Sequence, residues 1–344
     1  MHFTKRILEE QDHCYAVEVM QAAGEPYVFY AAENHGSCFA WDCKTLQNRL
    51  SVWEQPGGTM SIVEIPGKSG EFLAVQKFFR LYDWEEACLV WVKPQPDGSF
   101  AVRELFTLPY LHRFDLLTRD GKIWLIACTL AAHKQTREDW SCPGAVYAAE
   151  LPQNWDTPID LTKLQDGFFQ NHGYCRIHRD GYEAGLVTCQ QGVFLFTPPS
   201  GSDGWQIQQL MTQPTSDAAL IDLDGDGAEE IATIEPFHGN YFRIYHRNGN
   251  DWVMVYEHPE VTDFYHVVKA GTLCGKNVFL GGCRRGKQQL FLVSWNAAAN
   301  APEMVVIDEG VGPINALIYN GPDGDWIFSA NREKAQAAAY HVEE

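Results

Sequence analysis

Three histidines share one register in this chain. His112, His172 and His266 each lie eight residues ahead of the residue that precedes a turn glycine, at Asp120, Asp180 and Cys274. Neutral imidazoles converging from separate elements can hold a divalent ion that polarises a substrate oxygen. His112, His172 and His266 are therefore the expected ligands of a central divalent ion, manganese, magnesium or zinc. A second set follows the next strand-like run of each unit: His35, Arg80, His133, His238, Arg284, Arg285 and Arg332, with Arg113 beside His112. From it come the expected base, His238 or His133, and the substrate-binding groups His35, Arg80, Arg113, Arg284, Arg285 and Arg332; Tyr241 is the expected acid. A histidine near its ordinary pKa of ~6.5 suits proton abstraction beside a carbonyl, and arginine holds carboxylate or phosphate in bidentate fashion.

A different chemistry is written in IDLDGDGAEEIATI. Asp222, Asp224, Asp226 and Glu230 present oxygens at alternating positions around Gly227, a spacing that suits a hard cation such as calcium. The position of the bidentate Glu of an EF-hand is taken by Thr233, and the flanks read as strands. This site is expected to be structural, since it sits at a turn away from the histidines.

What must position these residues is a repeat. Around each of the three histidines runs a strand, a turn with glycine and a second strand, and weaker copies begin at Cys14, Met60, Asp217 and Ile314. Seven units in 344 residues give a period close to that of a four-stranded propeller blade, about 40 to 50 residues. The expected fold is all-β, a single domain over residues 1–344, a seven-bladed β-propeller closed by pairing of its N- and C-terminal strands. In such a ring the start of each first strand and the loop after each second strand share one face. A pair of two-sheet sandwiches is the competing fold, and it does not account for one register across seven units.

Composition narrows the function. The net charge is −19, which argues against gripping nucleic acid phosphates. No apolar run approaches the roughly 20 residues that span a bilayer, and MHFTKRILEE has no apolar signal core, so a cytoplasmic protein is expected. Ten scattered cysteines then read as reduced core residues.

The acidic loop and the hydrophobic run after it resemble the FG-GAP and VCBS repeat family of propellers, whose blades carry a D-x-D-G-D-G loop. The histidine-lined face resembles two groups of propeller enzymes. One is the oligogalacturonate and ulvan lyases. The other is the aldos-2-ulose dehydratase type, to which EIATIEPFHGN with Glu235, His238 and Gly239 is similar. These resemblances imply a structural calcium, a metal held by axial histidines and metal-assisted β-elimination from a carbohydrate, an anionic or keto sugar, with uronate oligosaccharides favoured. The alternative is a noncatalytic propeller that binds carbohydrate or protein. No nucleophile elbow, P-loop or dinucleotide fingerprint points elsewhere.

Overall fold

Tight turns set the repeat. Asp120 and Gly121 take φ values of 52° and 74°, and Cys274 and Gly275 take 47° and 72°. Two consecutive left-handed residues match the twist of a hairpin. Ala23 and Gly24 do the same in the first unit, at 52° and 84°. Strands grow from these turns as antiparallel pairs, as in Phe114–Arg119 against Lys122–Ala127.

The computed structural model describes residues 1–79, 84–249 and 251–344, and among them the chain is all-β apart from a short 3-10 turn at Arg332–Lys334. Arg80 lies outside the described residues. Four-stranded sheets with strands paired in chain order start at Cys14–Ala22, Ile62–Glu64, Asp217–Ile221 and Tyr265–Leu273. The third and fourth units depart from the expectation of separate sheets. Their strands form one eight-stranded sheet, joined where Arg119 at the end of Leu111–Arg119 pairs with Tyr182. The last unit, Asn315–Gly321, Gly324–Asn331 and Gln336–Glu343, takes its fourth strand from the N-terminus: His2–Glu10 runs antiparallel to Gln336–Glu343, with His2 opposite Glu343.

Apolar cores lie between consecutive units. Phe242, Phe279 and Phe291 pack between the fifth and sixth, and Leu280, Val311 and Ile327 between the sixth and seventh. Each such buried side chain contributes about 1.5–3 kcal/mol. All ten cysteines are free and seven are buried, so they serve as small apolar filler. The first strand of every unit lines a common cavity of about 500 Å³, and the site is built at one end of these strands.

Candidate metal centre

The chain enters its inner strands in a repeated conformation. Two residues ahead of the axial position a left-handed residue recurs: His13 before Tyr15 (53°), Gly58 before Met60 (74°), Tyr110 before His112 (61°), Gln170 before His172 (51°), Phe264 before His266 (69°) and Gly312 before Ile314 (54°). Glycine adopts this conformation freely at two of them; at the other four the surrounding fold must hold it. Just inside, the pairing slips by one residue at Tyr15, His112 and His266. A bulge leaves the extra residue off the ladder and re-aims its side chain. Tyr15, His112 and His266 are thereby freed from the sheet.

Each ring is then fixed by the next unit. The Nδ1–H of His112 donates to the carbonyl of His172 at 3.1 Å, and that of His266 to the carbonyl of Ile314 at 2.6 Å. The Nδ1–H of His172 donates to the Asp217 carboxylate at 2.8 Å, with the Ser216 hydroxyl 3.4 Å away. Between the last and first units, Asn315 Nδ2 donates to the Tyr15 carbonyl at 2.9 Å. A carbonyl only accepts, so His112 and His266 carry the proton on Nδ1 and keep a lone pair on Nε2. This is how metal-binding imidazoles are oriented by outer partners.

His172, His238 and His266 each bring a ring nitrogen into one group, all within 4.8 Å of one another. His238 Nε2 lies 3.1 Å from His172 Nε2. Nitrogens bound to one tetrahedral ion at ~2.0–2.1 Å stand about 3.3 Å apart, so the donor set fits a divalent first-row ion. Burial holds His238, His266 and His112 well below the ordinary imidazole pKa, with Arg113 adding to the effect at all three; neutral rings are the ligating form. His238 is itself left-handed (47°) and lies between the rings of Phe237 and Phe264, at 4.0 and 4.3 Å. Gly239 beside it has no room for a side chain, because a Cβ would fall on the Glu235 carbonyl.

The grouping differs in two residues from the expected one. His238, read from sequence as a base, stands with the ligands. His112, read as a ligand, lies beside the group with its ring 4.7 Å from that of His172 and against Phe78 at 5.0 Å. His133 is exposed and lies 3.7 Å from Glu85, and His35 is also exposed; neither belongs to the cluster. The Tyr241 ring packs under Arg243 at 4.1 Å. Three of the arginines, Arg284, Arg285 and Arg332, are paired with carboxylates, and Arg113 bonds neutral oxygens. Arg284 donates twice to Glu333, at 2.9 and 2.6 Å, and Arg285 lies 3.4 Å from the same carboxylate. Arg332 pairs with Glu33 and contacts His13, while Arg113 donates to the Met60 carbonyl and the Tyr15 hydroxyl.

In the acidic loop the expected ligands fall into two overlapping groups. Oxygens of Asp222, Asp224 and Glu230 come together, and Asp224 and Asp226 approach His246. Asp222 accepts from the Gly225 and Gly227 amides at 2.8 and 3.0 Å, which curls the loop around its own carboxylates. Glu230 is buried, accepts from the Leu223 amide at 2.7 Å and lies 2.5 Å from His246 Nδ1.

Sequence reasoning placed Asp217 on this face but missed its part in orienting His172, and it missed the Phe237 and Phe264 faces around His238. It also missed Lys134. That side chain is buried, its amine has no hydrogen-bond partner among the described residues, and it lies 3.1 Å from the centre of the Trp140 ring, which touches Phe237. Burial lowers its pKa to about 8. A lysine directly after a predicted loop histidine carried no signal of this.

No protein-family model matches the chain, and no curated protein does. Solved structures do match. A streptogramin B lyase is similar at 14% identity over 100% of this chain and 99% of its own, with a TM-score of 0.60. Sqt1 of Saccharomyces cerevisiae matches at 11% identity over 100% and 99%, TM-score 0.54, and the Dos1 propeller at 9% over 92% and 75%, TM-score 0.56. At such identities the likeness speaks to the fold, which is of the β-propeller type.

Proposed function

We propose that the chain is a seven-bladed propeller enzyme of the carbon–oxygen lyase or dehydratase type, working at the histidine layer on a small polar carbonyl compound such as a uronate or keto sugar. For the blade count, the support is the run of four-stranded units, with the eight-stranded sheet read as two blades that touch through Arg119 and Tyr182. Pairing of His2–Glu10 with Gln336–Glu343 supports closure, which removes exposed sheet edges.

The observation that carries the function is the grouping of His172, His238 and His266, with Nδ1 of His172 and His266 engaged by Asp217 and Ile314. A divalent ion held there would supply Lewis acidity toward a substrate carbonyl. The chain's own part is to keep these imidazoles neutral and oriented. His112, kept neutral by burial, with its proton fixed on Nδ1 and no hydrogen bond at Nε2 among the described residues, is the proton acceptor in this reading. Arg113 and Tyr15, hydrogen-bonded to each other at 3.2 Å, face developing negative charge from the first and third units. Elimination yields a conjugated product, so absorbance of unsaturated product from uronate oligomers and keto sugars, with added manganese, magnesium, calcium or zinc, tests it. If no such substrate turns over and the purified protein carries no ion that depends on His172, a noncatalytic propeller that binds carbohydrate or protein replaces this reading.

A further inference from the structure

Below the histidines the inner strands carry a second layer. Three residues past the axial positions Tyr15, Met60, His112, His172, His266 and Ile314 stand Glu18, Val63, Asp115, Cys175, Lys269 and Leu317, and all six line the 500 Å³ cavity. His266, Asp217, Arg113 and Asn315 line the same cavity, so this space adjoins the histidine layer.

The charges of this layer are treated unequally. Asp115 is closed off by Arg176, which donates to both of its oxygens. Among the described residues Glu18 accepts only from the Val19 amide, at 3.1 Å. Lys269 has neither a hydrogen bond nor an ion pair among the described residues. A carboxylate and an ammonium that share a confined space without contact cost free energy that a pair in contact recovers. Here they stand on the first and sixth units, and between them in the ring lies the seventh, whose residue in this layer is the apolar Leu317. Burial raises Glu18 to about 7, with Lys269 and Arg176 pulling the other way, as befits an acid whose counter-ion is in the same cavity but out of contact.

We infer that the cavity binds a small zwitterion, with its ammonium on Glu18, its carboxylate on Lys269 and a short hydrocarbon or sugar backbone against Leu317. As a binding site this stands by itself; as the substrate class of the histidine layer it rests on the reading above, which an aminated sugar acid would satisfy together with it. A cavity of this size lies within the roughly 300–1,000 Å³ of small-molecule sites.

The test is calorimetric titration of the full chain with glycine, β-alanine, γ-aminobutyrate and ε-aminocaproate, with butyrate and butylamine as single-charge controls. At least one zwitterion should bind about tenfold or more tightly than either control, a difference of ~1.4 kcal/mol. Glu18→Gln and Lys269→Met should each abolish that preference without lowering the melting temperature. The double exchange Glu18→Lys with Lys269→Glu should restore it, because the ligand can bind reversed. Absence of any preferred zwitterion, survival of the preference in either single variant, or a folded exchange variant that fails to restore it would overturn the inference. Metal content measured on the same samples separates the two readings: a wild type without the ion but with zwitterion binding intact sinks the proposed function alone.

Discussion

His238 of the fifth unit reaches His172 of the fourth, Nε2 to Nε2 at 3.1 Å, with ring planes at 86°. Two imidazole nitrogens meet this closely when a proton or a metal ion lies between them. The purified chain should therefore contain close to one first-row divalent ion, and His238→Ala or His172→Ala should remove it. Elemental analysis of wild type and variants decides this; equal metal content in all of them would place the ion elsewhere.

Asp217 acts through His172, as a positioning residue. Asp217→Asn keeps the shape but weakens the hold on Nδ1, and metal affinity should fall by about 10–100-fold. Competition with a chromophoric chelator measures it. An unchanged affinity would make Asp217 a structural residue only.

In the acidic loop, calcium should stabilise the fold by mass action, about 2.7 kcal/mol at a free concentration 100 times its Kd. Chelation should lower the melting temperature of the wild type and leave Asp222→Ala unaffected. A wild type indifferent to chelator would identify the loop as a solvated turn held by its own amide bonds.

Asp42 gives a pH dependence with a definite sign. Its buried carboxylate accepts from Thr45, Gln47 and Asn48, and these bonds, against burial, lower its pKa to about 2 from 3.8. A depressed folded-state pKa contributes stability that is complete above about pH 4 and lost as pH falls toward 2, roughly 2 kcal/mol in all. Asp42→Asn should remove that part of the acid limb in urea melts between about pH 5 and 2. Parallel acid limbs in the two proteins would show that the Asp42 carboxyl titrates alike in the folded and unfolded chain.

Removing residues 1–10 should destabilise the whole chain. It deletes a strand that pairs along its length with Gln336–Glu343, together with the contacts of Phe3 and Leu8 and the Arg49–Glu9 ion pair. Ile7 contributes little, being 48% exposed. At about 0.5–1.5 kcal/mol net per lost hydrogen bond the loss is several kcal/mol, visible as a lower melting temperature; a truncation that melts like the wild type would refute it.

Local sequence determined the repeat, the turns and the register that puts His112, His172 and His266 at strand starts, because hairpin turns and strand alternation are short-range properties. It also identified the acidic loop, whose carboxylates lie within nine residues of one another. It did not decide which histidines meet. His238 joins the group because a left-handed backbone and the Phe237 and Phe264 faces aim it there, and His112 stands beside the group with its ring against Phe78. Nor could sequence tell that Arg284 and Arg332 spend their charge on Glu333 and Glu33 while Lys269 and Glu18 keep theirs for the cavity. Those outcomes depend on residues far apart in the chain, 299 positions in the case of Glu33 and Arg332. Pairing of charges and convergence of ligands are long-range facts, fixed only when neighbouring units pack and bring each side chain within reach of its partner.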